Sequence, residues 1–292
     1  MITETELNQF NKKLQYKKID YPQCECGKCF KLFFNGLFVA ARNSGKTYAM
    51  SRIIKHYEDN KITDNDGNKY KIRTIIISPT FEQNKVFEAL KSLDVEKDVY
   101  DTYSDALIQN IMDDIDSRAN ELKEYNEYQL IYKKFMKLKA DELHKLDDNE
   151  LALLSKNNFE NNLEKPDAFI NFIVLDDLLG GNAFTQSKRS KLMNFFIKNR
   201  HHHTIFLIAV QSLKGVPREI RLNTNLFFLG KFASSKIIVE DCWEEVSNCI
   251  TIEDFQNLYN YSILDKYGAL IIDLTNEPKR FLKNLDCELF MK

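Results

Sequence analysis

Between Leu32 and Ile54 the chain reads LFFNGLFVAARNSGKTYAMSRII. An apolar run of strand-forming residues, Leu32 to Val39, meets a tight loop of small residues and then opens into a pattern of helical period. A buried strand that hands over through a short loop to a helix is the opening half of a β-α-β unit, which constrains the chain to an α/β fold.

The loop Ala40-Ala41-Arg42-Asn43-Ser44-Gly45-Lys46-Thr47 fits G-x-x-x-x-G-K-[ST] at every fixed position except the first, where Ala40 stands in place of Gly. Gly45 lets the backbone wrap so that consecutive N–H groups and the positive end of the helix face the phosphates of a nucleotide. Lys46 adds a point charge there, and the Thr47 hydroxyl is placed to ligate Mg²⁺. Ala41 to Tyr48 are therefore the candidate nucleotide-binding residues, with ATP and Mg²⁺ as ligands. Ala40 is compatible with this provided its φ is negative. The alternative is a chance S-G-K-T in an ordinary loop, which the strand before and the helix after argue against.

Two further apolar runs continue the pattern. Lys71 to Ile77, closed by Ser78-Pro79, is β-branched and reads as a buried strand of a parallel sheet. Phe169 to Leu175 is another, and it ends on Asp176-Asp177. An apolar strand closing on acids downstream of a phosphate loop is the Walker B arrangement. Asp176 is the candidate metal residue, with Thr47, and Asp177 the candidate base for the attacking water. Asp in place of the usual Glu is shorter by one methylene. The other reading is an Asp-Asp that merely starts a turn toward Gly180-Gly181. Thr204 to Val210 forms a third strand, with Gln211 at its carboxyl end, where ligands of open α/β sheets lie and an amide can sense a γ-phosphate or hold water.

Two regions differ in charge. Asp105 to Asp167 carries 15 acidic and 9 basic residues and apolar residues at near-helical spacing, which predicts an acidic helical insertion. A solvated hairpin packed on the core is the favoured reading, and a partner-docking surface the sharper one. From Lys188 to Arg221 there are 8 basic residues against one acid, Glu219, in a chain whose formal net charge is −2. Such a block suits tracking of a phosphate backbone rather than reading of bases. His201, His202 and His203 are consecutive, so their side chains diverge, and they read as turn or surface residues.

Cys24, Cys26 and Cys29 form C-x-C-x-x-C, which could supply three zinc ligands, but no second half completes the set and reduced thiols in a turn are favoured. Cys242, Cys249 and Cys287 read as scattered buried thiols. No run approaches the ~20 apolar residues of a membrane span, and the first residues are polar, so a cytoplasm-like compartment and no membrane partner are expected. A helix is expected from Ser187 to Asn199, mainly helical structure from Ser235 to Tyr261 with Trp243 in the core, and strands at Leu226 to Leu229 and Gly268 to Leu274. Nothing after Leu274 carries evident chemistry. The expected organisation is a lead-in over residues 1–31 and one ATPase domain over 32–292 holding the insertion at about 105–167.

AARNSGKT, FIVLDDL, NRHHHTIFLIAVQS and VPREIRLNTN, in that order, resemble the genome-packaging ATPases of large double-stranded DNA viruses and virophages, a poxvirus-type group of the FtsK–HerA superfamily. The resemblance covers about Leu32 to Phe232 without the insertion, and its most telling part is R-H-x-x-x-I…Q-S…P-x-x-I-R-x-N-T. It implies an additional-strand, RecA-like P-loop NTPase built as a three-layer sandwich on a mainly parallel sheet. It also implies a pentameric or hexameric ring that moves duplex DNA into a capsid, docked on a capsid or portal protein, in the host cytoplasm or the virion. By the same resemblance Gln211 is the sensor glutamine, and Arg200, or failing it Arg221, is the arginine that reaches a neighbouring subunit's nucleotide. A nucleotide-gated docking module that does not translocate DNA is the competing reading.

Overall fold

The computed structural model describes residues 21–26, 30–178, 184, 190–232 and 235–290, without the side chains of 140–141 and 235–239. In chain order the elements are β1 (Gln23–Cys24), β2 (Asn35–Val39), α1 (Lys46–Glu58), β3 (Ile62–Thr63), β4 (Lys69–Ile77), β5 (Val99–Tyr100), α2 (Asp105–Phe135) and α3 (Asp148–Lys156). They continue with β6 (Ala168–Asp176), α4 (Lys191–Ile197), β7 (Thr204–Val210), α5 (Arg218–Leu222), β8 (Leu226–Gly230), α6 (Ser235–Glu244), α7 (Ile252–Ser262), β9 (Ala269–Asp273), β10 (Arg280–Lys283) and β11 (Cys287–Leu289).

All the strands join one sheet, in the order β1-β3-β4-β6-β7-β2-β8-β9-β10-β11, with β5 on the end of β4. The five central strands, β4, β6, β7, β2 and β8, are parallel. Strand β7 is inserted between β2, which leads into the glycine-lysine loop, and β6, which ends on the acids. That is the additional-strand order that the resemblance implies.

Side chains of the central strands alternate between two cores. Leu37, Val39, Ile173, Leu175, Phe206 and Ile208 face one layer, completed by α2, α4, α6 and α7, while Phe38, Phe172, Val174, Ile205 and Leu207 face α1. Burial on both faces is why these strands read as continuous apolar runs instead of alternating ones. Strand β2 starts three residues later than its apolar run, because Phe33 adopts φ 65°, a left-handed conformation that cannot continue a strand. The antiparallel extension β9–β10–β11 after β8 was foreseen only in its first strand.

The edge of the sheet away from the loop is tied by asparagines. Asn35 Nδ2 donates to the carbonyls of Phe196 and Asn223 at 3.1 and 3.2 Å, and its N–H donates to Asn225 Oδ1 at 2.7 Å. Asn199 Nδ2 donates to the carbonyls of Phe33 and Thr204 at 2.8 and 3.0 Å. Several residues of the R-H…N-T series therefore stand among hydrogen bonds that hold strand starts together.

Helix α2, 31 residues and about 46 Å long, is capped by Ser104 Oγ, which accepts from Leu107 N–H at 3.0 Å. Its first half packs Ile108, Ile111 and Ile115 on the sheet; its second half forms a separate small core, where Tyr128 and Ile131 meet Leu146 and Leu154 of the α3 region. Arg73 of β4 joins this helix to the sheet, pairing with Asp98 at 2.7 Å and with Asp114 of α2 at 2.5 Å.

The observed α4 covers Lys191–Ile197, within the helix expected from Ser187; residues 187–189 lie outside the described residues. The expectation for the last cysteines is corrected in part. Cys242 is buried, but Cys249 is half-buried and Cys287 exposed on the outer strand β11, where only one side meets the sheet. Cys29 of the candidate zinc set lies outside the described residues; the Sγ atoms of Cys24 and Cys26 stand 2.8 Å apart. No helix among the described residues is long and apolar enough to cross a membrane.

The three histidines occupy a turn, as expected, but two of them are more than surface groups. His202 Nδ1 pairs with Asp116 of α2 at 2.6 Å, and His203 stacks on Phe33 with centroids 5.5 Å apart. Burial pushes the His203 pKa below its ordinary 6.5, against the opposing pull of Asp64. The unfolded chain then takes up this proton at a higher pH than the folded one, so stability falls as pH drops from 6.5 toward the folded value and levels below it. Urea unfolding at steps between pH 7 and 5 should show that slope in the wild type and a flatter one in His203→Asn; equal slopes would assign the proton uptake to other groups.

Candidate functional site

Parallel register brings the candidate residues to one edge. Val39 is level with Val210, and Asp176 with Ala209, so the loop after β2, the acids at the end of β6 and Gln211 after β7 emerge side by side. The loop is held from both flanks: Ala40 N–H donates to the Val210 carbonyl and Ala41 N–H to that of Lys231, each at 3.2 Å.

Within the loop Asn43 and Gly45 take φ 57° and 88°, and helix α1 starts directly after Gly45. Left-handed residues alternating with ordinary ones turn successive N–H groups toward one side, and the first N–H groups of α1 have no intrahelical acceptor. Ser44 Oγ donates to the Ala41 carbonyl at 2.6 Å and closes the curve. Lys46 Nζ donates to the carbonyls of Ala40 and Ala41, both at 2.9 Å, which leaves one of its three N–H groups for a ligand. Burial lowers the Lys46 pKa, while Asp176 and Asp177 pull it back up.

The two acids have different surroundings. Asp176 is buried and its Oδ2 accepts the Thr47 hydroxyl at 2.9 Å. Burial raises its pKa, and the Thr47 hydrogen bond opposes the rise. A hydroxyl and a carboxylate touching beside the glycine-lysine loop are oxygen donors of the kind a hard dication such as Mg²⁺ accepts. Asp177, one residue past the strand, adopts φ 58°, which turns it out of the strand direction. Its Oδ1 accepts from Gln211 Nε2 at 3.2 Å, and its Oδ2 lies 3.6 Å from Arg42 Nη2. Lys46, Thr47, Asp176 and Asp177 line one cavity of about 700 Å³, together with Thr80 and Gln83 from the segment after β4. Those last two were not anticipated, although Ser78-Pro79 ends a strand whose carboxyl end had to fall on this edge.

The candidate arginines stand elsewhere. Arg200 precedes β7 and is exposed at the opposite edge, one seven-residue strand away from Gln211, or about 20 Å. It has no ion pair among the described residues. Arg221 of α5 is ion-paired with Glu245, and its Nε donates to the Val216 carbonyl at 3.2 Å. In the basic block Lys188 and Arg189 lie outside the described residues, and Lys214 is paired with Asp241. Lys191, Lys198, Arg200 and Arg218 are exposed and form no ion pair among the described residues.

No family model matches the sequence, and no curated protein does. Among solved structures the chain is similar to the genome packaging NTPase B204 from Sulfolobus turreted icosahedral virus 2 in complex with AMP. The TM-score is 0.46 and the identity 12%, with 86% of this chain and 96% of that chain covered. It is similar also to B204, the DNA-packaging ATPase from Sulfolobus Turreted Icosahedral Virus (TM-score 0.46, 10% identity, 87% and 97% covered). A third is EssC (ATPases 2 and 3) from Geobacillus thermodenitrificans (TM-score 0.43, 12% identity, 86% and 39% covered).

The departure at Ala40 has a visible counterpart. A Cβ on Gly230, at the end of β8, would fall 2.8 Å from the Ala40 Cβ. The methyl group present at the first loop position is accommodated by its absence from the neighbouring strand. Gly230→Ala is expected to cost about 1–3 kcal/mol in urea unfolding, and adding Ala40→Gly should recover most of it. Additive losses in the double variant would show that the two positions do not share that space.

Proposed function

We propose that the chain hydrolyses ATP with Mg²⁺ and uses the energy to move double-stranded DNA, working as a homo-oligomeric ring in genome packaging. The observation that carries the hydrolytic part is the Thr47–Asp176 contact beside Lys46, with Gln211 joined to Asp177 on the same edge. In this reading the α1 amides and Lys46 hold the phosphates, and Thr47 and Asp176 hold the metal, which when bound neutralises developing phosphate charge. Asp177 accepts a proton from the attacking water, and Gln211 fixes both Asp177 and that water. Gln211 thereby acts as a positioning group for the base as well as a sensor of the γ-phosphate.

The DNA part is supported by the order of the sequence motifs and by the exposed cations Lys191, Lys198, Arg200 and Arg218, which form no ion pair among the described residues. Lys191 at the start of α4, Lys198 and Arg200 past its end, and Arg218 of α5 are charges of one sign, which suit a phosphate backbone, with counterion release as the driving term. Arg200 is too far from its own phosphate loop to act there, so any catalytic role falls on a neighbouring subunit's nucleotide. Arg221, already paired with Glu245, is the weaker candidate. A cross-subunit arginine contributes about 10³–10⁵ in rate in other NTPases.

Steady-state ATP hydrolysis with and without linear duplex DNA, at two salt concentrations, tests this. Wild type should be stimulated by DNA, and less so at the higher salt. Lys46→Ala and Asp176→Ala should lose about 10²-fold or more, and Arg200→Ala should lose the turnover of the assembled ring while still binding ATP. Hydrolysis indifferent to DNA would favour a nucleotide-gated docking module, and purified monomer as fast as ring would refute the shared site.

A further inference from the structure

On the far side of Gly45 from the acids lies a second cavity, of about 450 Å³, between the start of α1 and the β9–β11 extension. It is continuous in its lining with the phosphate cavity, since Gly45, Tyr48 and Tyr267 border both. Tyr48 and Tyr267 are 60% and 57% exposed, an uncommon state for two large rings on one rim, while the floor is made by buried Ala49 and Phe228. Aromatic rings left open beside a phosphate site suit a ligand with a flat apolar face.

The wall that carries Tyr267 is fixed. Gly268 N–H donates to the Asp265 carbonyl at 3.0 Å, and a Cβ on Gly268 would fall 2.2 Å from the Ser262 carbonyl oxygen, so only glycine closes this turn. Lys283 of β10 pairs with Asp265 at 2.8 Å and fastens the turn to the sheet. The Lys266 ammonium lies 5.2 Å from the centre of the Tyr267 ring and polarises it.

The rim away from the phosphates is polar. Asn284 Oδ1 accepts the Ala269 N–H at 3.0 Å, which fixes the amide and leaves its Nδ2 without a partner among the described residues. Asp286 Oδ1 accepts from Arg52 of α1 at 2.8 Å, which leaves Oδ2 as an acceptor. An unused donor and an unused acceptor beyond two aromatic rings match the edge of a nucleobase, with a ring nitrogen to accept and an exocyclic amine to donate.

We infer that this cavity is the base subsite of the nucleotide: a purine lies against Tyr267 and Tyr48, and its edge meets Asn284 and Asp286. Two-ring bases cover more of the tyrosines than one-ring bases, so purines are held in preference to pyrimidines. The inference rests on the phosphate-loop assignment made above and gives the β9–β11 extension a ligand-binding role.

Calorimetric titration of the full chain with ATP, GTP, CTP, UTP and inorganic tripolyphosphate, each with Mg²⁺, tests it. Tyr267→Ala should weaken ATP about tenfold, the scale of one lost base–aromatic stack, while tripolyphosphate affinity stays within about twofold of wild type. Tyr267→Phe, which keeps the ring, should restore ATP affinity, and the wild type should bind ATP and GTP more tightly than CTP and UTP. Unchanged ATP affinity in Tyr267→Ala, equal loss for ATP and tripolyphosphate, or equal affinity for all four nucleotides would each overturn the base subsite while leaving the phosphate loop standing. Wild-type binding of neither ATP nor tripolyphosphate, or Lys46→Ala binding both as wild type does, would overturn the phosphate loop itself and this inference with it.

Discussion

The site depends on the parallel register of three buried strands. Strands β2, β7 and β6 bond level with one another, and their carboxyl ends deliver the loop, Gln211 and the acid pair to one edge. A one-residue slip of any of them would exchange its two side-chain faces and carry Leu37, Phe206 or Ile173 into the wrong core. The apolar pattern that fixes the register therefore also fixes the distance between Thr47 and Asp176. The spacing of the candidate site residues is a by-product of core packing.

Around that framework, close contacts trade off against one another. The loop carries an alanine where a glycine is usual, and the strand beside it carries Gly230 where a side chain would collide. Lys46 rests on its own loop carbonyls, and Asp176 on Thr47, so both charged groups are partly satisfied within the protein, with one Lys46 N–H group left over. Asp177 differs: it is partly exposed, turned out by its positive φ and, among the described residues, held by Gln211 and a long contact to Arg42. Of the two acids it is the more exposed.

The long helix α2 illustrates a different economy. Its first half belongs to the main core, while its second half with α3 makes a small core of its own. The junction is polar, through Arg73 with Asp98 and Asp114, and His202 with Asp116. Removing one partner of the partly buried Arg73 pairs would leave an uncompensated charge between α2 and the sheet.

The stretch from Leu32 to Ile54 determined the fold class and singled out the candidate phosphate loop, because strand, glycine loop and helix are local structures whose residue preferences are written within a few positions. The acids after β6 and Gln211 after β7 were legible for the same reason: each ends an apolar run, and parallel strands end together. The tertiary structure decided what depends on contacts between distant segments. Gly230 acquires meaning only beside Ala40, 190 positions earlier; His203 only against Phe33; and Arg221 loses its availability only because Glu245 folds onto it. Asn284 lies past Leu274, where the sequence showed no chemistry, and Tyr267, just ahead of the strand at Gly268, was given no role, since a single tyrosine or asparagine carries no periodicity or spacing signal. Their place beside the phosphate loop follows from an antiparallel extension that returns to α1, a fact of chain path that local sequence does not contain.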